Sequence, residues 1–239
     1  MKKNFQETLS NLREHNHKLQ DLTAQEILSW GYEMFGNKFA ITTSFGIQSS
    51  VLLNMVRDSS LQNKIKIFWI DTGYLPSETY HYAEKLISDL SLNVEVLQSE
   101  LSPARMESLY GKLWETNKES DLDTYHTIRK INPLENALKK NNIQCWASGV
   151  RSHQTENRNK MQFLDVIRKR LSLRPLLNWS KKDIYYYMKE KKLPEHPLFL
   201  KGYSTVGDWH SSAPDGIDKK GRSTRFGGIK QECGIHTNN

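Results

Sequence analysis

The sequence predicts an α/β protein built on a doubly wound, mostly parallel sheet, and three observations carry that expectation. Short apolar strands alternate with amphipathic helices along the middle of the chain, which implies parallel pairing with helices on both faces. Hydrophobic residues make up 37% of the 239 and charged residues 26%, enough apolar material for a packed core and too much for a disordered chain. Past Gly202, glycine and serine become frequent, Pro214-Asp215-Gly216 signals a turn, and the alternation stops. The chain therefore divides into N-terminal helices over 1–36, a nucleotide-binding α/β domain over 37–201 and a mobile C-terminal tail over 202–239.

Phe5, Leu9, Leu12 and Leu19 recur at helical spacing with polar residues between them. Thr23 followed by Glu26 forms a capping box that starts a second helix, carrying Ile27, Leu28, Trp30, Met34 and Phe35 and stopping at Gly36. Phe39-Ala40-Ile41-Thr42-Thr43 reads as a buried strand and 47–56 as a helix. Residues 65–70 form the second strand, 78–90 the next helix, and Val94-Glu95-Val96-Leu97 the third strand. Gln144-Cys145-Trp146-Ala147 is a fourth short strand, and 181–190 a helix capped by Ser180.

Composition narrows the function classes. A membrane span needs about 20 apolar residues, whereas the longest runs, such as 65–70, are broken by Lys66 and end at Asp71. The N-terminus, Met1-Lys2-Lys3-Asn4-Phe5-Gln6-Glu7, turns polar where a signal peptide would be apolar, so a cytoplasmic chain is expected. Two cysteines, Cys145 and Cys233, supply neither a disulfide framework nor four thiolates for zinc or an iron–sulfur cluster. With 34 Lys+Arg against 27 Asp+Glu the net charge is +7, which suits nucleic acid or a small polyanion. The basic residues are dispersed, with modest clusters at Arg168-Lys169-Arg170 and over 189–192, and no aromatic–basic motif is recognisable. Neither nucleic acid nor a membrane is an expected partner.

Four segments carry chemistry. Thr43-Ser44-Phe45-Gly46-Ile47-Gln48-Ser49-Ser50 lies between a strand and a helix, where backbone N–H groups and small hydroxyls suit a phosphate or sulfate. It lacks the Gly-Lys-Ser/Thr of a Walker loop, and an ordinary capped turn explains it equally well. Asp71-Thr72-Gly73 ends the second strand at the same sheet edge, where it could hold a ribose or adenine or simply start the next helix. The loop over 148–158 supplies Gly149, Arg151, Gln154 and Arg158, with guanidinium forks suited to phosphate or sulfate oxygens. The tail, Arg225-Phe226-Gly227-Gly228-Ile229-Lys230-Gln231-Glu232-Cys233-Gly234-Ile235-His236, offers a glycine-flanked thiol with Lys230 and His236 nearby. Cys145, inside an apolar strand, reads as a buried inert thiol.

Together these segments resemble the assimilatory phosphoadenylyl-sulfate reductases, within the larger group of adenylyl-sulfate reductases and PP-loop ATP pyrophosphatases. The resemblance runs from about Gly36 to His236. Its most specific element is Glu232-Cys233-Gly234-Ile235-His236, similar to the family's Glu-Cys-Gly-Leu-His signature around the catalytic cysteine. Ser44-Phe45-Gly46-Ile47-Gln48-Ser49 resembles a PP-loop, Ser-Gly-Gly-x-Asp-Ser, in which Phe45 and Gln48 replace a Gly and the Asp. Arg174-Pro175-Leu176, the segment 179–183 and Pro197-Leu198 add support, whereas Ser152 stands where the family loop often has a second Arg. In the cluster-bearing branch a Cys-Cys pair precedes an Ile-Arg-Lys stretch and a Cys-x-x-Cys follows later. Here those stretches read Tyr125-His126 and Asp208-Trp209-His210-Ser211, so the resemblance implies the cluster-free branch.

The resemblance implies a PP-loop, adenine-nucleotide-hydrolase-like fold and reduction of 3′-phosphoadenylyl sulfate to sulfite, with no bound metal or cofactor. Cys233 is the implied nucleophile, passing through an S-sulfocysteine, with reduced thioredoxin or glutaredoxin as the dithiol partner and a homodimer as the expected assembly. Lys130, Arg151, Arg158, Arg222, Arg225 and Lys230 are the candidates to surround the anion, with Ser44, Phe45, Gly46, Gln48, Ser49, Asp71, Thr72, Gly73, Gly149 and Gln154 along the nucleotide and His236 beside the thiol. A cluster-free adenylyl-sulfate reductase and a PP-loop adenylyltransferase are the alternatives. The latter gives Cys233 no task.

Overall fold

Three helices lead into the sheet: α1 (Phe5–Ser10), α2 (Leu12–Leu19) and α3 (Ala24–Phe35). The apolar spacing of the first segment predicts one helix. It breaks at Asn11, whose amide donates to the Glu7 carbonyl at 3.1 Å and competes with the helical ladder. The Thr23–Glu26 capping box of α3 is present in both directions. There follow β1 (Phe39–Thr43), α4 (Ser49–Asp58), β2 (Lys66–Ile70), α5 (Ser77–Leu90) and β3 (Val94–Leu97). Three helices the sequence reading did not resolve come next: α6 (Pro103–Tyr110), α7 (Glu119–His126) and α8 (Asn132–Lys140). The last elements are β4 (Cys145–Ala147), α9 (Glu156–Asn159), β5 (Leu164–Ile167), β6 (Arg170–Leu173) and α10 (Lys181–Glu190).

This computed structural model describes residues 5–237, so 1–4 of the N-terminal segment and 238–239 of the tail lie outside the described residues. The six strands form one sheet in the order β3-β2-β1-β4-β6-β5. All neighbours pair in parallel except β5, which runs antiparallel to β6. The chain moves outward from β1 through β2 to β3 and then returns to the other side of β1 as β4. That reversal makes the β1/β4 boundary the switch point, where the loops leaving the two strands diverge and open a crevice.

The expected helix-on-both-faces arrangement follows from the two-residue period of the strands. Ile41, Ile67, Trp69, Cys145 and Ala147 face a core containing Ile27, Leu28, Leu53 and Leu86 of α3, α4 and α5. The intervening Ala40, Phe68, Ile70 and Trp146 face a second core with Leu134, Ala137 and Leu138 of α8. The basic run Arg168-Lys169-Arg170 falls at a hairpin. Arg168 and Lys169 have φ of 44° and 64° and form the two-residue turn of the β5–β6 hairpin.

The tail expected to be mobile is seated on the domain. Ile235 belongs to the second core, and the His236 ring stacks on Trp146 at 5.4 Å between centroids.

Candidate active site

The cleft at the switch point is lined by the three strand-end loops and closed by the tail. From the loop after β1 come Ser44, Gly46, Gln48 and Ser49, ahead of α4, whose N-terminus has no side-chain cap. Uncapped N–H groups at that end favour an anion. Phe45 does not line the cleft. It holds φ at 45°, the left-handed conformation a glycine would adopt freely, and its fully buried ring packs edge-on against Trp69 at 4.9 Å. The loop thus keeps a glycine's backbone while the side chain joins the core.

After β2, only Thr72 of the expected trio reaches the cleft. Asp71 turns inward and accepts from Gly73 N at 2.8 Å, Tyr80 Oη at 2.7 Å and Gln98 Nε2 at 2.8 Å, so its carboxylate is spent on shaping the turn. Gly73 sits at φ 75°, where a Cβ would lie 2.7 Å from Pro103. Its role is steric.

Five cations line the cleft: Lys130, Arg151, Arg158, Arg222 and Arg225. Lys130 projects from a π-helical turn over Thr127–Ile131, a wide turn frequent at functional sites. Its Nζ donates to Asp208 Oδ2 at 2.6 Å, and Thr72 Oγ1 donates to Asp208 Oδ1 at 2.5 Å. Burial alone would raise the Asp208 carboxyl, but Lys130 and Arg225, with hydrogen bonds from Lys130 and Thr72, hold it well below the usual range. Arg225 is buried and donates to Ser212 Oγ at 3.0 Å. Arg151 donates to the Gln48 side-chain oxygen, and burial together with the Arg158 charge pulls its guanidinium down to about 10. Gln48, standing where a PP-loop has its Asp, is therefore held by an arginine. Gln154 accepts from both the Arg151 backbone and the Arg158 guanidinium. Two carboxylates face these five cations, Asp208 in the lining and Glu232 on Arg158 and Arg222, so positive charge remains in excess. Burying that many positive charges is costly unless an anion completes the site.

The tail delivers the thiol. Cys233 is half-buried and lines the cleft with His236. Arg222 and Arg225 interact electrostatically with its sulfur. Lys230 is not among the lining residues: its Nζ pairs with Glu119 at 3.0 Å and Asp123 at 2.6 Å on α7. His236 is a neutral ring, since burial and the charges of Arg158, Arg174, Arg222 and Arg168 push its pKa well below normal. Cys145 is wholly buried in β4, and burial raises its thiol far above the usual value.

Of the four positions where the resemblance would put cluster cysteines, two carry packed rings, Tyr125 and His126, and the other two are Asp208 and Ser211. His210 stacks on Trp114 with centroids 4.0 Å apart and planes at 9°, and its Nε2 lies 3.1 Å from Tyr125 Oη. His126 packs edge-on to Phe226 at 5.3 Å. Among the described residues, no group of three or more His, Cys, Asp or Glu is arranged to hold a metal ion. No helix among them is long and apolar enough to cross a membrane.

Three features of the site escaped sequence reasoning. Asp208 stood out only as a substituted cysteine position, although it anchors Lys130. Glu232 was part of a motif but not a partner for Arg158, which it binds through both oxygens. Gly207 has no Cβ because one would collide with the Arg225 guanidinium.

The family model for the phosphoadenosine phosphosulfate reductase domain matches residues 38–214. A phosphoadenosine 5′-phosphosulfate reductase of Synechococcus sp. is 48% identical over 229 residues, covering 95% of this chain and 98% of the relative. This chain belongs to the phosphoadenosine phosphosulfate reductase family. A second such reductase, from Synechocystis sp., is 46% identical over 92% of this chain and 88% of its own. Among solved structures, the phosphoadenylyl-sulfate reductase of Candida auris in a phosphate complex superposes with a TM-score of 0.73 at 25% identity, covering 85% of this chain and 97% of that one. An FMN adenylyltransferase of Candida glabrata shares the fold alone, with a TM-score of 0.57 at 14% identity over 87% of this chain and 70% of that one. The reductase family and the wider PP-loop fold expected from the motifs are both borne out.

Proposed function

We propose that this family member reduces 3′-phosphoadenylyl sulfate to sulfite in sulfate assimilation, using Cys233 as nucleophile and a dithiol protein as reductant. The observation that carries the reading is the opening of one half-buried thiol onto the same cleft as five cations. In this reading the uncapped N-terminus of α4 and Arg151 meet the 5′-phosphosulfate, and Lys130, Arg158, Arg222 and Arg225, which line the same cleft, take the remaining anionic oxygens. The Cys233 thiolate attacks the sulfate sulfur, the S–O bond to the nucleotide breaks, and adenosine 3′,5′-bisphosphate leaves with that electron pair. Cys233 then carries an S-sulfo group. A thiolate of thioredoxin or glutaredoxin attacks Cys233 Sγ, sulfite departs with the S–S electron pair, and the partner's second thiol resolves the mixed disulfide. The two electrons come from the dithiol.

The PP-loop adenylyltransferase reading is disfavoured by Gln48, which replaces the Asp and is engaged by Arg151. The test is sulfite release with reduced thioredoxin, comparing 3′-phosphoadenylyl sulfate with adenylyl sulfate. Charged hydrogen bonds to the 3′-phosphate contribute on the order of 1.5–3 kcal/mol each, so two favour the phosphorylated nucleotide by roughly 10²-fold or more in kcat/KM. Comparable values would sink the substrate assignment, and no sulfite from either would sink the reaction.

A further inference from the structure

The hairpin turn at Arg168 reaches the tail immediately beyond the thiol. Its Nη1 donates to the carbonyls of Gly234 at 3.0 Å and Thr237 at 2.7 Å, and its Nη2 to the carbonyl of Ile235 at 2.9 Å. On its other edge Nε donates to Glu135 Oε1 at 2.8 Å, and Arg170 donates to the second oxygen of the same carboxylate. One planar fork therefore ties three carbonyls of the tail to α8 and to the β5–β6 hairpin. The anchor is firm at both ends. Ile167 and Arg170 flank the turn in sheet register, and Glu135 lies on α8, which packs on the second core. Arg168 holds a left-handed φ of 44°, a conformation that costs a non-glycine residue free energy and persists where the surroundings impose it.

We infer that Arg168 is a positioning residue for the reaction: held by Glu135, it fixes the turn after Cys233 and so sets where the sulfur sits in the cleft. The inference rests on the proposed role of Cys233. Arg168 is absent from the residues lining the cleft, so it acts through the backbone of Gly234, Ile235 and Thr237. Placement of this kind acts on the chemical step, because a small error in the attack distance costs rate without weakening nucleotide binding. A lysine offers a single point charge and cannot span three carbonyls with a fixed plane.

The test compares the wild type with Arg168→Met, which keeps the apolar stem, and Glu135→Gln, which removes the carboxylate charge that holds the fork. Four readouts are taken: sulfite-forming kcat and KM, the Kd for adenosine 3′,5′-bisphosphate, the rate of iodoacetamide alkylation at Cys233, and tryptic cleavage after Lys230. In Arg168→Met, kcat falls at least tenfold while KM and Kd stay within about twofold, and both alkylation and cleavage accelerate. Glu135→Gln moves every readout the same way by less and carries the test should Arg168→Met not fold. A folded Arg168→Met with wild-type kcat and an unchanged tail overturns the inference, as does a variant whose Kd weakens as much as its rate. A wild type that makes no sulfite defeats the proposed reaction instead, while alkylation and cleavage still decide whether Arg168 holds the tail.

Discussion

Arg158 grips Glu232, the residue immediately before the thiol. Its Nη2 lies 2.8 Å from Oε2 and its Nε 3.0 Å from Oε1, and Thr155 Oγ1 donates to the same Oε1 at 2.8 Å. Both side chains are largely buried, at 5% and 9% exposure, and Arg222 adds a looser ion pair at 3.7 Å. The pair couples the loop after β4 to the tail. Burial alone would raise the Glu232 carboxyl, but the Arg158 and Arg222 charges hold it below the usual range. Breaking this pair leaves buried guanidiniums uncompensated.

Glu232→Gln is accordingly expected to destabilise the fold by about 2–4 kcal/mol at neutral pH, near the range for removing one partner of a buried ion pair. Adenosine 3′,5′-bisphosphate should recover part of that loss by supplying the missing negative charge. Urea midpoints with and without the nucleotide check this. An unchanged midpoint would show that the pair contributes nothing net.

The two thiols should separate cleanly. Cys233→Ser is expected to abolish sulfite release while leaving nucleotide affinity within a few-fold of wild type, since the cations that hold the nucleotide are untouched. Cys145→Ala should keep turnover and cost about 1–2 kcal/mol of stability through the small cavity left in the first core. Loss of activity in a folded Cys145→Ala protein would require a second reactive thiol.

Stability should fall on mild acidification. Burial lowers His196 and His210 to about 4, so both are neutral when folded, while in the unfolded chain they titrate near the ordinary value of 6.5. Between those limits the unfolded state binds more protons, so stability is full above about pH 6.5 and is lost as pH falls towards 4. His210→Phe, which keeps a ring against Trp114, should flatten the decline. Urea midpoints at pH 7.5 and pH 5 measure it, and equal slopes for the two proteins would exclude His210 as a contributor.

Gly207→Ala should act through Arg225. The added methyl takes the space of the guanidinium, and displacing that group removes a charged contact worth on the order of 1.5–3 kcal/mol to a bound anion. Nucleotide affinity is expected to weaken at least tenfold by calorimetry. Wild-type affinity would mean that Arg225 serves the fold rather than the ligand.

The parts of the fold governed by local rules were legible from residue order. Thr23 with Glu26 forms its capping box as read, Ser180 caps α10 as expected and Asp183 completes a box there, and α10 spans the residues expected of it. The β5–β6 hairpin was not legible, because its turn uses Arg168 and Lys169 in place of the Gly or Asn that signals such turns. In the site, each anion loop falls at a strand end, as the α/β alternation implied. Side-chain direction was harder to read. Phe45 turns into the core and Asp71 into its own turn, and Lys230 meets Glu119 and Asp123, more than a hundred positions earlier in the chain. Asp208 and Glu232 also depend on partners far away in the chain, 74 to 136 positions, and such pairings are set by tertiary packing.

The most direct measurement is the intact mass of the wild-type protein after incubation with 3′-phosphoadenylyl sulfate and no reductant. Attack by Cys233 predicts a gain of one sulfo group, mapped by peptide analysis to the tail cysteine, absent from Cys233→Ser and removed as sulfite when reduced thioredoxin is added. An unmodified mass after the nucleotide has been converted to the bisphosphate, or a sulfo group on any other residue, would contradict the mechanism.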